Sequence, residues 1–167
     1  LPHSLYTGRA RAYLRTQGIA FVERPLTDPD FAERIMPAIG RAIIPVVELA
    51  DGTIVQDTVD IIDHFEGEDS APVPYPAYPG DARLLALAHL VELYAVVGLT
   101  RHAMHYRWSY LAEQEAFLRD AFATGGDEAR AEATMARMHS YLPMLGVDPA
   151  TIPAIEESFS ELLANLD

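Results

Sequence analysis

At 167 residues, with a formal charge of −13 and no cysteine, the chain excludes several classes before any motif is read. Without cysteine there are no disulfides, thiolate metal sites or cysteine nucleophile, and the default compartment is the cytoplasm. All twelve basic residues are arginine, scattered without a basic patch, which argues against nucleic acid and anionic lipid as partners; no run of about 18 apolar residues marks a membrane span and no secretory leader opens the chain.

In chain order, Arg9 to Gln17 reads as a helix, because Ala10, Tyr13 and Leu14 share one face and Gly18 supplies a C-terminal stop. Ile19 to Val22 reads as a short strand. Asp28-Pro29 starts a second helix through Phe31 and Ile35 to Pro37, with proline at its first position. Pro45 then heads a strand, where a missing N–H is tolerated. A cis Ile44–Pro45 bond there turns the preceding backbone outward, free to pair with a ligand. Val46 to Leu49 and Thr53 to Val55 form a hairpin closed by Asp51-Gly52 as a type I′ turn. Val59 to Phe65 is a third helix, with Asp57 and Thr58 at its start, where unpaired N–H groups suit an anion.

Gly67 to Pro79 holds four prolines and two acids, and reads as a linker rather than regular structure. Beyond it no strand signal remains. Asp81 caps a long helix through Leu84, Leu87, Val91 and Tyr94. Further helices fit Leu111 to Phe122, Asp127 to Leu145 and Pro153 to Leu166. The expected organisation is therefore a small α/β domain at 1–66, a linker at 67–80 and a helical domain at 81–167.

Few constellations carry chemistry on their own. His102 and His105 have helical metal-ligand spacing, with His89 one helix face earlier, but no third close ligand completes a site. No metal is expected. Met104-His105-Tyr106-Arg107-Trp108 is unusually aromatic, and core packing accounts for Met104 and Trp108.

Four segments together resemble the glutathione S-transferase family. Ser4-Leu5-Tyr6-Thr7-Gly8-Arg9-Ala10-Arg11 is similar to the segment opening the first helix in its serine and cysteine classes. Ile44-Pro45-Val46-Val47 resembles its cis-proline strand, Asp51-Gly52 its hairpin turn, and Asp57-Thr58-Val59-Asp60-Ile61 the segment gripping the γ-glutamyl end of glutathione. The resemblance implies a thioredoxin-like α/β domain followed by an all-α helical domain. It also implies a homodimer that takes glutathione as co-substrate and a small hydrophobic electrophile. Ser4 would stabilise the glutathione thiolate, with Thr7 and Tyr6 as alternates. Ile44, Pro45, Asp57 and Thr58 would hold the peptide. Arg9 and Arg41 are rivals for its glycyl carboxylate, although a solvated arginine accounts for each. Tyr106, Arg107 and Trp108 would line the electrophile pocket. Glutathione-dependent isomerisation or dehalogenation uses the same thiolate, and a non-catalytic binding or protein-interaction module is the rival reading.

The pattern departs from the family at both ends. The family's sheet has strand order 2-1-3-4, and nothing before the first helix here supplies the inner strand. The usual later helix, opened by a Ser/Thr-x-x-Asp capping box, is also missing. The expectation is a terminally trimmed bacterial member, in which a catalytic residue would lie ahead of Leu1.

Overall fold

A computed structural model describes residues 3–41, 43–123 and 126–166. The chain divides into two compact units, Leu1–Leu85 and Ala86–Asp167.

The first unit begins with α1 (Leu5–Thr16), whose Ala10, Tyr13 and Leu14 turn inward as their spacing predicts. Ser4 caps it, its Oγ accepting from the Thr7 N–H at 3.3 Å. Gly18 ends it at φ 70°. The Gly18 N–H donates to Arg15 O, and the Ile19 N–H to Leu14 O at 2.9 Å, closing the last carbonyls.

A helical turn then starts at Pro29, widens to a π-turn over Phe31–Ile35 and continues as α2 (Met36–Ile39). The Met36 N–H reaches back to Phe31 O. That wider ring accommodates Pro37, which has no N–H and whose ring crowds a normal helical turn.

The sheet has two antiparallel strands, β1 (Val46–Glu48) and β2 (Ile54–Gln56), with Val47 opposite Val55. The type I′ turn expected between them is corrected. Asp51 keeps a negative φ and only Gly52, at 88°, is left-handed. Leu49 N–H donates to Thr53 O, so Ala50, Asp51 and Gly52 form a three-residue loop. A second correction concerns Ile19 to Val22, which is not a strand. Its residues have strand character, but no described strand lies beside it to share a ladder.

α3 (Thr58–Glu66) follows and packs Ile61 and Ile62 inward. Tyr13, Leu14 and Ile62 form the small core, with Ile19, Val47, Phe65 and Tyr78 against it. The proline-rich segment has no regular structure, yet it is fastened to this unit. Tyr75 N–H donates to the buried Gln17 Oε1 at 3.0 Å, and Ala77 and Tyr78 N–H groups donate to the Glu66 carboxylate.

An ion-pair chain fixes the segment between α1 and α2. Arg24 meets Asp28 and Asp30, and Arg34 bridges Asp30 to Glu48 of β1 at 2.7 Å. Hydrogen bonds from Arg34, then Arg24, lower the Asp30 pKa to about 2. The stability this carboxylate contributes is therefore present above its unfolded pKa of about 4 and is lost as pH falls through about 2. Asp30→Asn is expected to flatten the stability–pH curve across that window, as read by urea denaturation at stepped acid pH. An unchanged slope would refute the assignment.

The helices of the second half are α4 (Ala82–Leu93), α5 (Leu99–Trp108), α6 (Leu111–Phe122), α7 (Glu128–His139) and α8 (Ile152–Leu166). Asp81 Oδ1 caps α4, accepting from Arg83 and Leu84 N–H at 3.0 Å. α4 and α5 join through a π-turn at Tyr94–Gly98 into one helix of 27 residues, long and apolar enough by length and composition to cross a membrane. No such stretch is expected from sequence; the core helix of a soluble protein passes the same test but is then mostly buried, whereas none of this window is buried. The long helix expected from Asp127 to Leu145 breaks after His139, and a 3₁₀ turn covers Pro143–Leu145. Trp108, Leu118, Met135, Leu142, Val147 and Ile155 form the core of the second unit.

Candidate functional site

Three segments far apart in sequence meet within the first unit: the first turn of α1, the approach to β1, and the first turn of α3. Two hydrogen bonds fasten them. The Thr58 hydroxyl donates to the Tyr6 carbonyl at 3.1 Å, and the Asp57 N–H donates to the Pro45 carbonyl at 3.1 Å. The Ile44–Pro45 peptide bond is cis. Ile44 makes no backbone hydrogen bond among the described residues.

Asp57, not Thr58, is the N-cap of α3, its Oδ1 accepting from Val59 N–H at 3.1 Å. It has φ 86° and ψ 149°, and among the described residues it is the sole non-glycine with positive φ. Such a conformation costs about 1–3 kcal/mol and persists only where the surroundings impose it. Here the bond to Pro45 and the cap to Val59 impose it from both sides. Thr58 is fully buried, 1% exposed. Its hydroxyl is committed to Tyr6, which leaves its backbone N–H as one of the unpaired donors of the first turn of α3.

The three hydroxyl candidates differ in what remains free. Ser4 is half-buried and uses its oxygen as an acceptor in the cap, so its O–H proton is still available to donate. Thr7 Oγ1 is buried without a hydrogen-bond partner. Tyr6 is exposed, and its carbonyl is the group that Thr58 holds. Arg9 is half-buried on α1. Arg41 is occupied, donating twice to Gln56 Oε1 at 3.1 and 2.9 Å. Gln56 therefore joins the site's margin, which the sequence did not signal, since a glutamine at a strand's end has no distinguishing spacing.

The second unit splits its three candidate pocket residues. Trp108 lies in the core, 2% exposed, beside Phe122 and His139. Tyr106 stacks on Tyr110 at 6.2 Å and meets Phe159 at 5.3 Å. Arg107 is half-buried, and burial pushes its guanidinium pKa down. The histidines are absorbed by side-chain networks. His105, with no exposed surface, bonds Ser109 Oγ through Nδ1 at 2.8 Å and Glu156 Oε1 through Nε2 at 3.0 Å. Hydrogen bonds from Tyr110 and then His105 hold the Glu156 carboxyl below its usual range. His102 bonds Ser158 Oγ at 2.7 Å. Among the described residues no three His, Asp or Glu side chains gather as a metal site.

Residues 1–72 match the family model of the glutathione S-transferase N-terminal domain. No curated protein and no solved structure matches the chain.

Proposed function

Since residues 1–72 match the glutathione S-transferase N-terminal domain, we propose that the chain is a member of that family, binds glutathione where α1, Ile44–Pro45 and α3 meet and activates the thiol toward a small electrophile. The observation that carries this reading is the convergence of Ser4, Ile44, Asp57 and Thr58 through the Thr58–Tyr6 and Asp57–Pro45 hydrogen bonds. The Thr58 N–H and the α3 dipole receive the γ-glutamyl carboxylate. The Asp57 carboxylate takes the α-ammonium, and Ile44 pairs its open backbone with the cysteinyl unit.

A free thiol of pKa near 8.5 is only a few per cent thiolate at neutral pH. The Ser4 O–H, at the positive end of α1, donates to the sulfur and stabilises the anion. The thiolate then forms a carbon–sulfur bond to the electrophile, and the displaced electron pair leaves with the leaving group or is protonated after addition. The exposed stripe of Leu84, Leu87 and Val91 on α4, each more than half exposed, supports a homodimer of this chain.

A second reading keeps the binding and drops the chemistry. It is favoured by the Thr58 hydroxyl being spent on a backbone carbonyl. Calorimetric titration with glutathione and a chromogenic conjugation assay separate the two. Binding with turnover supports the enzyme, binding without turnover supports the module, and neither removes both.

A further inference from the structure

Ser109, just past the end of α5, gives its proton to a different kind of partner from the other helix hydroxyls of this unit. Those donate to a nearby backbone carbonyl: Thr100 to Val96 at 2.8 Å, Ser140 to Arg137 at 2.7 Å and Ser160 to Glu156 at 2.9 Å. Ser109 Oγ has no such acceptor among the described residues and lies instead 2.8 Å from His105 Nδ1.

The other side of the imidazole decides the direction of that bond. His105 Nε2 stands 3.0 Å from Glu156 Oε1, and the Tyr110 hydroxyl donates to the same oxygen. These two donors hold the Glu156 carboxyl below its usual range, so it is a carboxylate and can only accept. Nε2 therefore carries the ring proton, and Nδ1 of the neutral ring is a bare acceptor aimed at Ser109. A hydroxyl, a base and a carboxylate that orients the base stand in one chain. His102 and Ser158 show that a histidine beside a serine is not enough. Ser158 Oγ also has the Ile155 carbonyl at 2.9 Å to donate to, so its proton is not committed to the ring.

Ser109 is exposed, whereas His105 has no exposed surface. The hydroxyl thus meets solvent while the base behind it is enclosed. Directly after the serine, the N–H groups of Tyr110 and Leu111 make no hydrogen bond among the described residues, at the start of the 12-residue α6. Unpaired N–H groups at a helix start suit the negative oxygen that forms when a neighbouring hydroxyl attacks a carbonyl.

We propose that Ser109 is an acyl acceptor, with His105 as its general base and Glu156 as the positioning residue, for acyl groups carried on a weakly basic leaving group such as a thiolate or an aryl oxide. Oγ bonds to the acyl carbon as its proton passes to Nδ1, and the new imidazolium faces the Glu156 carboxylate. The bond from that carbon to the leaving group breaks, and the group departs as an anion with the bonding pair. It has to be a weak base, because the enclosed imidazole touches Ser109 and cannot hand a proton to a group in solvent. Water then adds to the acyl carbon, Oγ takes back the Nδ1 proton as its bond to carbon breaks, and the carboxylic acid and one proton pass to solvent. This second step is the slow one, since the same enclosure denies the water a base. The site lies wholly within the second unit and is independent of the glutathione reading.

The test is p-nitrophenyl acetate mixed with the full chain in the absence of glutathione. The chain has no lysine and no cysteine to compete for the acetyl group. A burst of about one equivalent of p-nitrophenolate per chain, followed by slow turnover, is the expected result. Peptide mass spectrometry is expected to find the acetyl group on Ser109. Ser109→Ala, at an exposed position, is expected to abolish the burst. His105→Asn is expected to slow it at least about a hundredfold with its amplitude kept, the scale of a lost general base. If that variant loses its circular dichroism, Glu156→Gln decides in its place, with an expected slowing of at least about tenfold and the amplitude again kept. No burst, an acetyl group on a residue other than Ser109, or a burst rate indifferent to His105 and Glu156 overturns the proposal.

Discussion

Ser4→Ala is expected to lower glutathione conjugation about a hundredfold, the usual cost of removing one donor from a developing anion, while glutathione affinity changes little. The same change removes the α1 cap, because Ser4 Oγ accepts from the Thr7 N–H, and costs about 1 kcal/mol of stability. The two effects are separable. Ser4→Asp caps a helix as well as serine does, but sets a negative charge where the thiolate forms. Its expected signature is near-native stability with turnover lost, and a raised thiol pKa in a pH–rate profile if any rate remains. If Ser4→Ala leaves the rate unchanged, the proposed role passes from Ser4 to another hydroxyl. Thr7 is the first to test, since its Oγ1 is buried with no hydrogen-bond partner and a ligand that reaches it would relieve that cost.

Trp108→Ala is expected to destabilise the chain by about 3–5 kcal/mol, the range for deleting a large buried aromatic side chain. Trp108 is 2% exposed, with Leu118, Met135, Leu142, Val147 and Ile155 in the same core. Against a typical total stability of about 5–15 kcal/mol, that loss would leave much of the helical unit unfolded near physiological temperature. Trp108→Phe is the control. The indole Nε1 is buried without a hydrogen-bond partner, so phenylalanine forfeits volume but no hydrogen bond, and about 1.5 kcal/mol or less is expected. Urea denaturation followed by far-ultraviolet circular dichroism reads both, since the fluorescence probe is itself removed. A role for Trp108 in the electrophile pocket predicts the opposite pattern, with stability kept and the Michaelis constant for the electrophile raised.

What the sequence disclosed follows the range of the forces involved. Gly18 ending α1, Asp81 capping α4 and Pro45 at the strand's approach are local effects, complete within a few residues. Ile19 to Val22 has the residue types of a strand, but a strand exists only with a neighbour to bond, and side-chain type does not supply one. The hairpin turn failed for a similar reason: Asp51-Gly52 is compatible with two loop lengths, and strand register chose the longer. At the candidate site, Asp57 and Thr58 are both good cap residues, so the sequence left open which one caps. The choice was made by Tyr6, which lies 52 positions away in sequence and whose carbonyl takes the Thr58 hydroxyl. His105 shows the same limit, because its bond to Glu156 spans 51 positions.

The strap from Gln17 to Tyr75 bears on where this chain can be cut. The Gln17 amide is 7% exposed, and both its oxygen and its nitrogen are matched to the Tyr75 backbone, as a second peptide unit would match them. A fragment ending at Glu66 would keep α1 to α3 and both strands. It would also strand that amide in an apolar setting and remove Tyr78, whose hydroxyl bonds Asp63 at 2.8 Å. The stretch that looks like dispensable tether is thus the closing seam of the α/β half, and expression boundaries belong beyond Tyr78.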